Sequence, residues 1–167
     1  MEGEAVLEVS LNKEGAFIKK CFNRDFCKQL GLEENQRIDG LEAAYFLSIK
    51  KACIGGRSGW DEALDFLEKL SIPLHLFIVY YDLRRRGRKV QRGLRDSTLL
   101  ADVPGRKKIE VLILREGEEV KPSSISNWSE LAVSDSYTPV VAIVDKNGEV
   151  TYYESRIYSD LGGLGIL

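Results

Sequence analysis

Between residues 39 and 87, apolar positions recur mainly at the three- and four-residue spacing of helices. Asp39 and Glu42 have the pattern of a capping box, which predicts a helix that begins at Asp39. This helix is expected to run to the glycine pair at 55–56, with an apolar face formed by Leu41, Ala44, Tyr45, Ile49 and Ala52.

Two further helices are predicted from the same spacing. One begins with Ser58 as a candidate capping residue, and its apolar face is expected to consist of Trp60, Ala63, Leu64 and Leu67. The other begins at residues 71–73, where Pro73 suits a first helical turn. It is expected to end at Gly87, with an inward face formed by Leu76, Tyr80 and Leu83.

Other apolar segments have the patterns of strands. Residues 5–11 predict a short strand, and Gly15 marks the turn after it. Residues 108–115 alternate between apolar and polar side chains, as in a half-buried strand. Residues 126–133 are compatible with a short helix.

The last predicted feature is a hairpin. Residues 140–144 form a continuous apolar run, which is expected of a central strand, and the Asn147-Gly148 pair that follows is a strong hairpin signal. The returning strand covers residues 150–154, with Tyr152 and Tyr153 on opposite faces.

The order of these elements predicts the fold class. Helices dominate the first part of the chain and strands the second, which is typical of an α+β protein. A length of 167 residues fits one ordinary domain or two small ones. We expect a small N-terminal α/β domain over residues 1–70 and a C-terminal domain over residues 71–167.

Composition narrows the class of protein. The chain is 44% hydrophobic and 30% charged, which is typical of a soluble globular protein and unlike a disordered one. No apolar run approaches the roughly 20 residues that span a bilayer. The acidic start, Met1-Glu2-Gly3-Glu4, is the opposite of the basic start of a signal peptide. We therefore expect a cytoplasmic protein.

The cysteines predict neither a disulfide framework nor a metal site. Cys21, Cys27 and Cys53 form no Cys-x-x-Cys pair, and their odd number argues against a framework of disulfides. A zinc site would need all three together with His75, the one histidine in the chain. We expect no metal and no other cofactor, in a reducing compartment.

Charge is distributed unevenly along the chain. Residues 84–108 hold ten lysines and arginines and two acids, whereas residues 116–154 hold eight acids and two lysines. A basic band of this kind is a plausible surface for RNA phosphates. Taken alone, such a charge run is more simply interpreted as a solvated helix end. The acidic segment is compatible with simple solubility or with a basic protein partner.

Three segments in this order resemble the tRNA-intron (splicing) endonuclease family. They are residues 37–47 (RIDGLEAAYFL), 81–93 (YDLRRRGRKVQRG) and 140–153 (VVAIVDKNGEVTYY). Each segment alone is a weak signal, but their order and spacing also match the family. The resemblance covers about residues 35 to 155 and implies that the C-terminal domain is endonuclease-like, with a mixed central sheet flanked by helices.

The resemblance also implies a chemistry to look for. Family enzymes cut RNA without metal and leave a 2′,3′-cyclic phosphate and a 5′-hydroxyl, which requires a base, an acid and a cation at the phosphate. The family assigns these roles to a tyrosine, a histidine and a lysine. At the matching positions this chain has Ala101, a basic approach that ends at Lys108, and Tyr137. No catalytic residue is therefore expected.

The resemblance then implies a structural subunit of a heterotetramer, with a catalytic subunit of the same family and pre-tRNA as its partners. The basic band would bind RNA through Arg84, Arg85, Arg88 and Arg92. Docking to a neighbouring subunit would use Asp145 and Glu149 in the hairpin turn, and a dimer strand would contain Val150, Tyr152 and Tyr153. Such a chain would have no activity alone.

Two alternatives remain at this point. The first is a metal-dependent nuclease with a different active site, in which Asp102 and Glu110 would be the acids; Leu112 occupies the position of the expected lysine, and Glu110 is more simply interpreted as a solvent-facing strand residue. The second is an autonomous RNA-binding module that uses residues 84–95 for phosphates and Tyr80 or Tyr81 for stacking, although helix packing is the simpler role for both tyrosines.

Overall fold

A computed structural model describes residues 4–156 of the chain. The first three residues of the acidic N-terminus and the glycine-rich tail, for which flexibility is expected, lie outside the described residues. The chain divides into two compact units between Leu74 and His75. Within the described part, no helix has the length and apolar character needed to cross a membrane.

The first unit combines a small sheet with three helices. Its elements are β1 (Leu7–Asn12), β2 (Gly15–Cys21), α1 (Arg24–Leu30), α2 (Gly40–Ser48), β3 (Ala52–Cys53) and α3 (Trp60–Lys69). The strand order is β2-β1-β3, with β1 antiparallel to β2 and parallel to β3. Helix α2 is buried along nearly its whole length and supplies much of the core of this unit.

Helix α2 begins where the capping pattern predicts and ends earlier than predicted. The Asp39 carboxylate accepts a hydrogen bond of 2.8 Å from the Leu41 N–H. The helix stops at Ser48, and Lys50 then adopts a left-handed conformation with φ of +60°. This turn sends Ala52 into β3, where it pairs with Leu7. The prediction that Ala52 lies on the helix was wrong, because its backbone bonds to a strand that the helical spacing does not show.

Helix α3 has a different cap and a different buried face from those predicted. Its N-cap is Gly59, not Ser58, and Gly59 has a φ of +126°, which favours glycine. The buried side chains are Ala63, Phe66 and Leu67. Trp60 and Leu64, which were placed on the apolar face, are 43% and 40% exposed. Phe66 extends the buried stripe to the side opposite these two, so the predicted face was only half correct.

The sequence analysis missed β2, α1 and one covalent bond. Cys21 ends β2 and Cys27 lies in α1, and a disulfide joins them. The expectation that the cysteines form no disulfide was therefore wrong. The short connection between strand and helix brings the two Cα atoms to 6.6 Å, a separation that a disulfide spans. Cys53 is buried and free, and burial raises the pKa of its thiol.

The second unit is a five-stranded mixed sheet with two helices. Its elements are α4 (Leu74–Arg85), β4 (Val90–Arg92), β5 (Thr98–Ala101), β6 (Ile109–Arg115), α5 (Pro122–Ser134), β7 (Thr138–Val144) and β8 (Val150–Glu154). The strands follow each other in the order β4-β5-β6-β7-β8, and only the β6–β7 pair is parallel. Helix α5 provides the crossover that a parallel pair requires. The predicted α+β class with a mixed sheet is confirmed.

Helix α4 matches its predicted inward face, and α5 forms where a short helix is predicted. In α4 the predicted Leu76, Tyr80 and Leu83 are buried, together with Phe77 and Val79. Helix α5 covers residues 122–134 and is longer than the predicted 126–133, because Pro122 is well tolerated in a first turn. His75 lies half-buried in the first turn of α4, where burial lowers the pKa of its imidazole.

Candidate RNA-binding and assembly site

The last turn of α4 holds its arginines over tyrosine rings. The Arg84 Nη1 donates a hydrogen bond of 2.8 Å to the hydroxyl of Tyr80, and the guanidinium lies 5.6 Å from the centre of that ring. Arg85 lies 5.8 Å from the ring centre of Tyr81 in the same i, i+4 relationship. Tyr80 is buried, so packing is its role, whereas Arg85 remains exposed. These contacts orient both guanidinium groups at the helix end.

Arg86 has a separate role that the sequence analysis missed. Its Nε lies 2.8 Å from Oδ2 of Asp82, and its guanidinium lies 5.6 Å from the ring centre of Tyr152 in β8. The Tyr152 hydroxyl donates a hydrogen bond of 2.6 Å to the same Asp82 oxygen. Burial raises the pKa of this hydroxyl, and the hydrogen bond to Asp82 raises it further. Arg86, Asp82 and Tyr152 therefore tie helix α4 to the last strand.

The other two predicted RNA-binding arginines follow α4 directly. Gly87 ends the helix with a φ of +78°, and the Arg88 N–H donates to the Leu83 carbonyl at 3.1 Å. The Arg88 side chain is half-buried, and Arg92, the last residue of β4, is exposed. Arg84, Arg85, Arg88 and Arg92 thus lie on one continuous segment, which we call the basic segment (residues 84–92).

Three neighbouring strands bring together the positions that the resemblance matches to the family's tyrosine, histidine and lysine. Ala101 ends β5 and pairs with Ile109 at the start of β6, which in turn pairs with Thr138 at the start of β7. Lys108 and Tyr137 directly precede these two strands. Ala101 is 1% exposed and offers only a methyl group.

Glu110 is buried, which contradicts the interpretation of this residue as a solvent-facing strand position. Its side chain is 1% exposed, and both carboxylate oxygens accept from the Arg95 Nη1 at 2.8 and 2.9 Å. The Arg95 Nη2 reaches Oδ2 of Asp135 at 2.5 Å. The hydrogen bonds that Arg95 donates to Asp135 and Glu110 raise the pKa of its guanidinium. The sequence could not reveal this pairing, because Arg95 lies 15 residues away in a loop.

This pairing also bears on the metal-nuclease alternative. Glu110 faces an arginine, and Asp102 lies 3.4 Å from the Lys108 Nζ. Among residues 4–156, no group of three or more His, Cys, Asp and Glu side chains is arranged to hold a metal ion. The two acids that this alternative needs are therefore each engaged by a cation.

The hairpin turn at residues 145–149 is shaped by one of its two predicted docking acids. Oδ1 of Asp145 accepts from the N–H groups of Asn147 and Glu149, at 2.8 and 2.9 Å. Gly148 has a φ of +80°, as expected in a three-residue hairpin loop. Asp145 is half-buried and Glu149 is exposed. Asp145 therefore builds the turn, while Glu149 presents its charge outward.

Strand β8 lies at one end of the described sheet. The Asp145 N–H donates to the Glu149 carbonyl, and the Ser155 N–H donates to the Pro139 carbonyl. Because antiparallel ladders alternate with a period of two, the N–H groups of residues 151 and 153 point towards β7 and those of residues 150, 152 and 154 point away. Tyr153 is 55% exposed, on the face opposite Tyr152.

Comparison with known proteins agrees with this architecture. The family model described as the tRNA intron endonuclease, catalytic C-terminal domain, matches residues 74–152. A second model, described as the tRNA-intron endonuclease SEN2-like N-terminal domain, matches residues 7–70. The two matches fall on either side of the division between the two units.

Three curated proteins are similar to this chain. A tRNA-splicing endonuclease of Pyrococcus furiosus is 29% identical over 127 residues, which cover 65% of this chain and 74% of the relative. A tRNA-splicing endonuclease of Pyrococcus horikoshii is 28% identical with the same coverage. An EndA-like protein of Methanopyrus kandleri is 34% identical over 87 residues, 51% of each chain.

The fold and these matches define an α+β protein with an endonuclease-like C-terminal unit. The chain belongs to the tRNA-intron endonuclease family.

Proposed function

We propose that this chain is a non-catalytic structural subunit of a heterotetrameric tRNA-splicing endonuclease. The complex would contain two copies of this chain and two of a catalytic subunit of the same family. It would act in the cytoplasm and cut introns from pre-tRNA at bulge-helix-bulge sites, leaving 2′,3′-cyclic phosphate and 5′-hydroxyl ends.

The observation that carries this proposal is which side chains lie where the end of β5 meets the starts of β6 and β7. In-line attack by a ribose 2′-hydroxyl needs a group that removes its proton and another that protonates the leaving oxygen. Ala101 can do neither, and His75 lies in the first turn of α4, outside the sheet. Lys108 and Tyr137 remain at this end of the sheet, but neither occupies the position that the resemblance gives to the base, so the acid–base pair is incomplete.

The basic segment supports a role in holding RNA. The helix end and β4 carry Arg84, Arg85, Arg88 and Arg92 in nine residues. Cations at a helix C-terminus suit the helix dipole, so part of this charge stabilises α4 itself. The exposed Arg85 and Arg92 are the members best placed to reach a phosphate. In an assembly that holds two cutting sites a fixed distance apart, such contacts would fix the position of the RNA relative to both sites.

The acidic turn and the edge strand support a role in assembly. Glu149 presents a negative charge at the base of a turn that Asp145 holds in one shape. Strand β8 presents outward-facing backbone groups together with the exposed ring of Tyr153, and an open strand edge favours pairing with another chain. We propose that Val150, Tyr152 and Tyr153 belong to the strand that forms a dimer.

The direct test is cleavage of pre-tRNA by purified components in the presence of EDTA. The chain alone is expected to leave pre-tRNA intact, with or without added magnesium. Addition of a histidine-containing chain of the same family is expected to produce cleavage and a complex of two copies of each chain in analytical ultracentrifugation. Metal-free cleavage by this chain alone would end the proposal. It would also end if the catalytic chain did not bind this chain and cut pre-tRNA equally well without it.

A further inference from the structure

One end of the sheet in the second unit collects cations from two separate segments, the start of β4 and the connection between β5 and β6. The Asp102 N–H donates to the Lys89 carbonyl at 3.0 Å, so the start of β4 lies beside the end of β5. The Thr138 N–H donates to the Lys108 carbonyl at 3.0 Å, so the start of β6 lies beside the start of β7. The β5–β6 pairing joins the two halves through Ala101 and Ile109.

The connection between β5 and β6 adds two further cations. The Arg106 N–H donates to the Val103 carbonyl at 3.1 Å, and Gly105 has a φ of +70°, which closes a tight turn. The residues that follow this turn are exposed up to the start of β6. We call the resulting cluster the basic sheet end, and it consists of Lys89, Arg106, Lys107 and Lys108.

The charge of this cluster is only partly balanced by its own surroundings. Asp102 lies 3.4 Å from the Lys108 Nζ, and both side chains are about half exposed, so this pair is weak. Two acids on the flanking elements, Glu110 and Asp135, are engaged by Arg95, and the exposed Glu154 at the end of β8 lies at the same end of the sheet.

An aromatic residue lies in the same place. Tyr137 connects α5 to β7, and its N–H donates to the Ala132 carbonyl at 2.9 Å, which fixes its backbone. Its side chain is half-exposed. Cations that attract a phosphate backbone, combined with an aromatic ring on which a base can stack, are the usual composition of a surface for single-stranded nucleic acid.

We propose that the basic sheet end and Tyr137 bind an unpaired segment of RNA without cutting it. Lys107 and Lys108 contact phosphates, and the ring of Tyr137 stacks on a base. This inference rests on the proposed function, because it makes the position of the absent catalytic groups a binding site of its own. The site is separate from the basic segment at the end of α4, so the two can be tested independently.

RNA is favoured over an acidic protein partner by Tyr137. An acidic protein segment would need only the cations, whereas a half-exposed ring beside the cationic cluster adds stacking, which every base can use. A phosphate contact and a stacking contact also respond differently to salt. Only the phosphate contact releases counterions, so salt separates the two contributions.

The test measures binding of the full chain to a synthetic RNA hairpin with an unpaired bulge, by fluorescence anisotropy between about 50 and 300 mM KCl. The double variant Lys107→Ala/Lys108→Ala is expected to lower the slope of log affinity against log salt by about 1.5, since each phosphate contact contributes ~0.7–0.9. Tyr137→Ala is expected to weaken binding by about fivefold or more with an unchanged slope, and Tyr137→Phe to bind like the parent. The control is Lys121→Ala/Lys146→Ala, which removes two exposed lysines elsewhere in the unit and should leave the slope unchanged.

The other outcomes overturn either this inference or the proposed subunit role, and they distinguish the two. The inference is wrong if Lys107→Ala/Lys108→Ala keeps the parental slope, or if the parent chain does not bind the hairpin. A variant that keeps RNA affinity but no longer binds a catalytic chain would make the basic sheet end a protein contact instead. If the salt dependence of RNA affinity decreases only in variants of the basic segment, the inference fails while the subunit role stands. If the sheet-end variants lose slope but no catalytic chain forms a complex, the subunit role fails and the RNA site remains.

Discussion

Both carboxylate oxygens of Glu110 accept hydrogen bonds from one nitrogen of Arg95, at 2.8 and 2.9 Å, in a position where the Glu110 side chain is 1% exposed. The same arginine extends to Asp135 at the end of α5. One side chain therefore connects strand β6, the β4–β5 loop and the α5–β7 connection. A buried carboxylate that loses its only cationic contact would be left without compensation.

We predict that Arg95→Ala lowers the free energy of unfolding by about 3 kcal/mol, because it leaves the Glu110 charge buried and unpaired. Chemical denaturation monitored by circular dichroism measures this change. The matched control is Arg115→Ala, whose partner Glu118 lies 3.9 Å away on an exposed surface, and it should cost less than about 0.5 kcal/mol. Equal effects of the two variants would contradict a structural role for the buried pair.

The Tyr152 hydroxyl provides a second, independent connection. Tyr152→Phe should lower the free energy of unfolding by about 1.5 kcal/mol, because it removes a hydrogen bond to the charged Asp82. Tyr153→Phe is the control, since that neighbouring side chain is 55% exposed and its loss of a hydroxyl should be nearly neutral. A Tyr153→Phe effect as large as that of Tyr152→Phe would refute this assignment.

The same hydroxyl predicts a pH dependence. Its pKa in the folded chain is raised above the ordinary value near 10, so the unfolded chain loses this proton first as pH rises. The hydrogen bond therefore stabilises the fold fully below about pH 10, and this contribution declines at higher pH. Parent stability should fall more steeply than that of Tyr152→Phe above this pH. Parallel stability curves would show that the hydroxyl is not coupled to folding.

The basic segment predicts a sequence-independent contribution to RNA binding. In the assembled complex, replacement of Arg85, Arg88 and Arg92 by alanine should lower the salt slope by up to about one unit for each lost phosphate contact. Affinity should fall by a similar factor for unrelated RNA sequences. Lys121→Ala/Lys146→Ala again serves as the control for loss of charge alone. An unchanged slope would show that the segment is a solvated helix end.

The edge strand predicts an association state, and the ladder register decides which variant tests it. Thr151→Pro would remove a donor that points towards β7, so it would damage the hairpin itself. Glu154→Pro removes a donor that points away from β7 and should dissociate the dimer while the unit stays folded. Analytical ultracentrifugation and circular dichroism measure the two effects. A folded Glu154→Pro variant with the parental association state would exclude this edge as the interface.

The acidic turn predicts how the complex is held together. Asp145→Asn/Glu149→Gln keeps the acceptor that shapes the turn and removes both charges. The complex should separate into smaller units, most readily at high salt, and lose cleavage, since desolvated charge pairs at an interface can couple by ~1.5–7 kcal/mol. Glu149→Gln alone should account for most of this loss because Glu149 is the exposed acid. A neutralised variant that assembles and cuts like the parent would leave the turn with no docking role.

Local sequence patterns predicted much of the architecture correctly. The four described helices after Asp39 and the hairpin around Gly148 were each predicted, because helix caps, turn residues and apolar periodicity act over a few neighbouring residues. The predictions were wrong where a contact with another element decides the local structure. Ala52 left its expected helix to pair with β1, and Cys27 bonded to Cys21 across a connection that carries no periodic signal.

The sequence by itself determined the family and the α+β class, since both depend on residue identity and order. Only the tertiary structure decided that Glu110 is buried against Arg95, that Arg86 binds Asp82 and Tyr152, and that Lys89 joins Lys108 at one sheet end. An alternating strand pattern shows which side chains share a face. Whether that face is covered, and by which charge, depends on residues that strand pairing brings together from elsewhere in the chain.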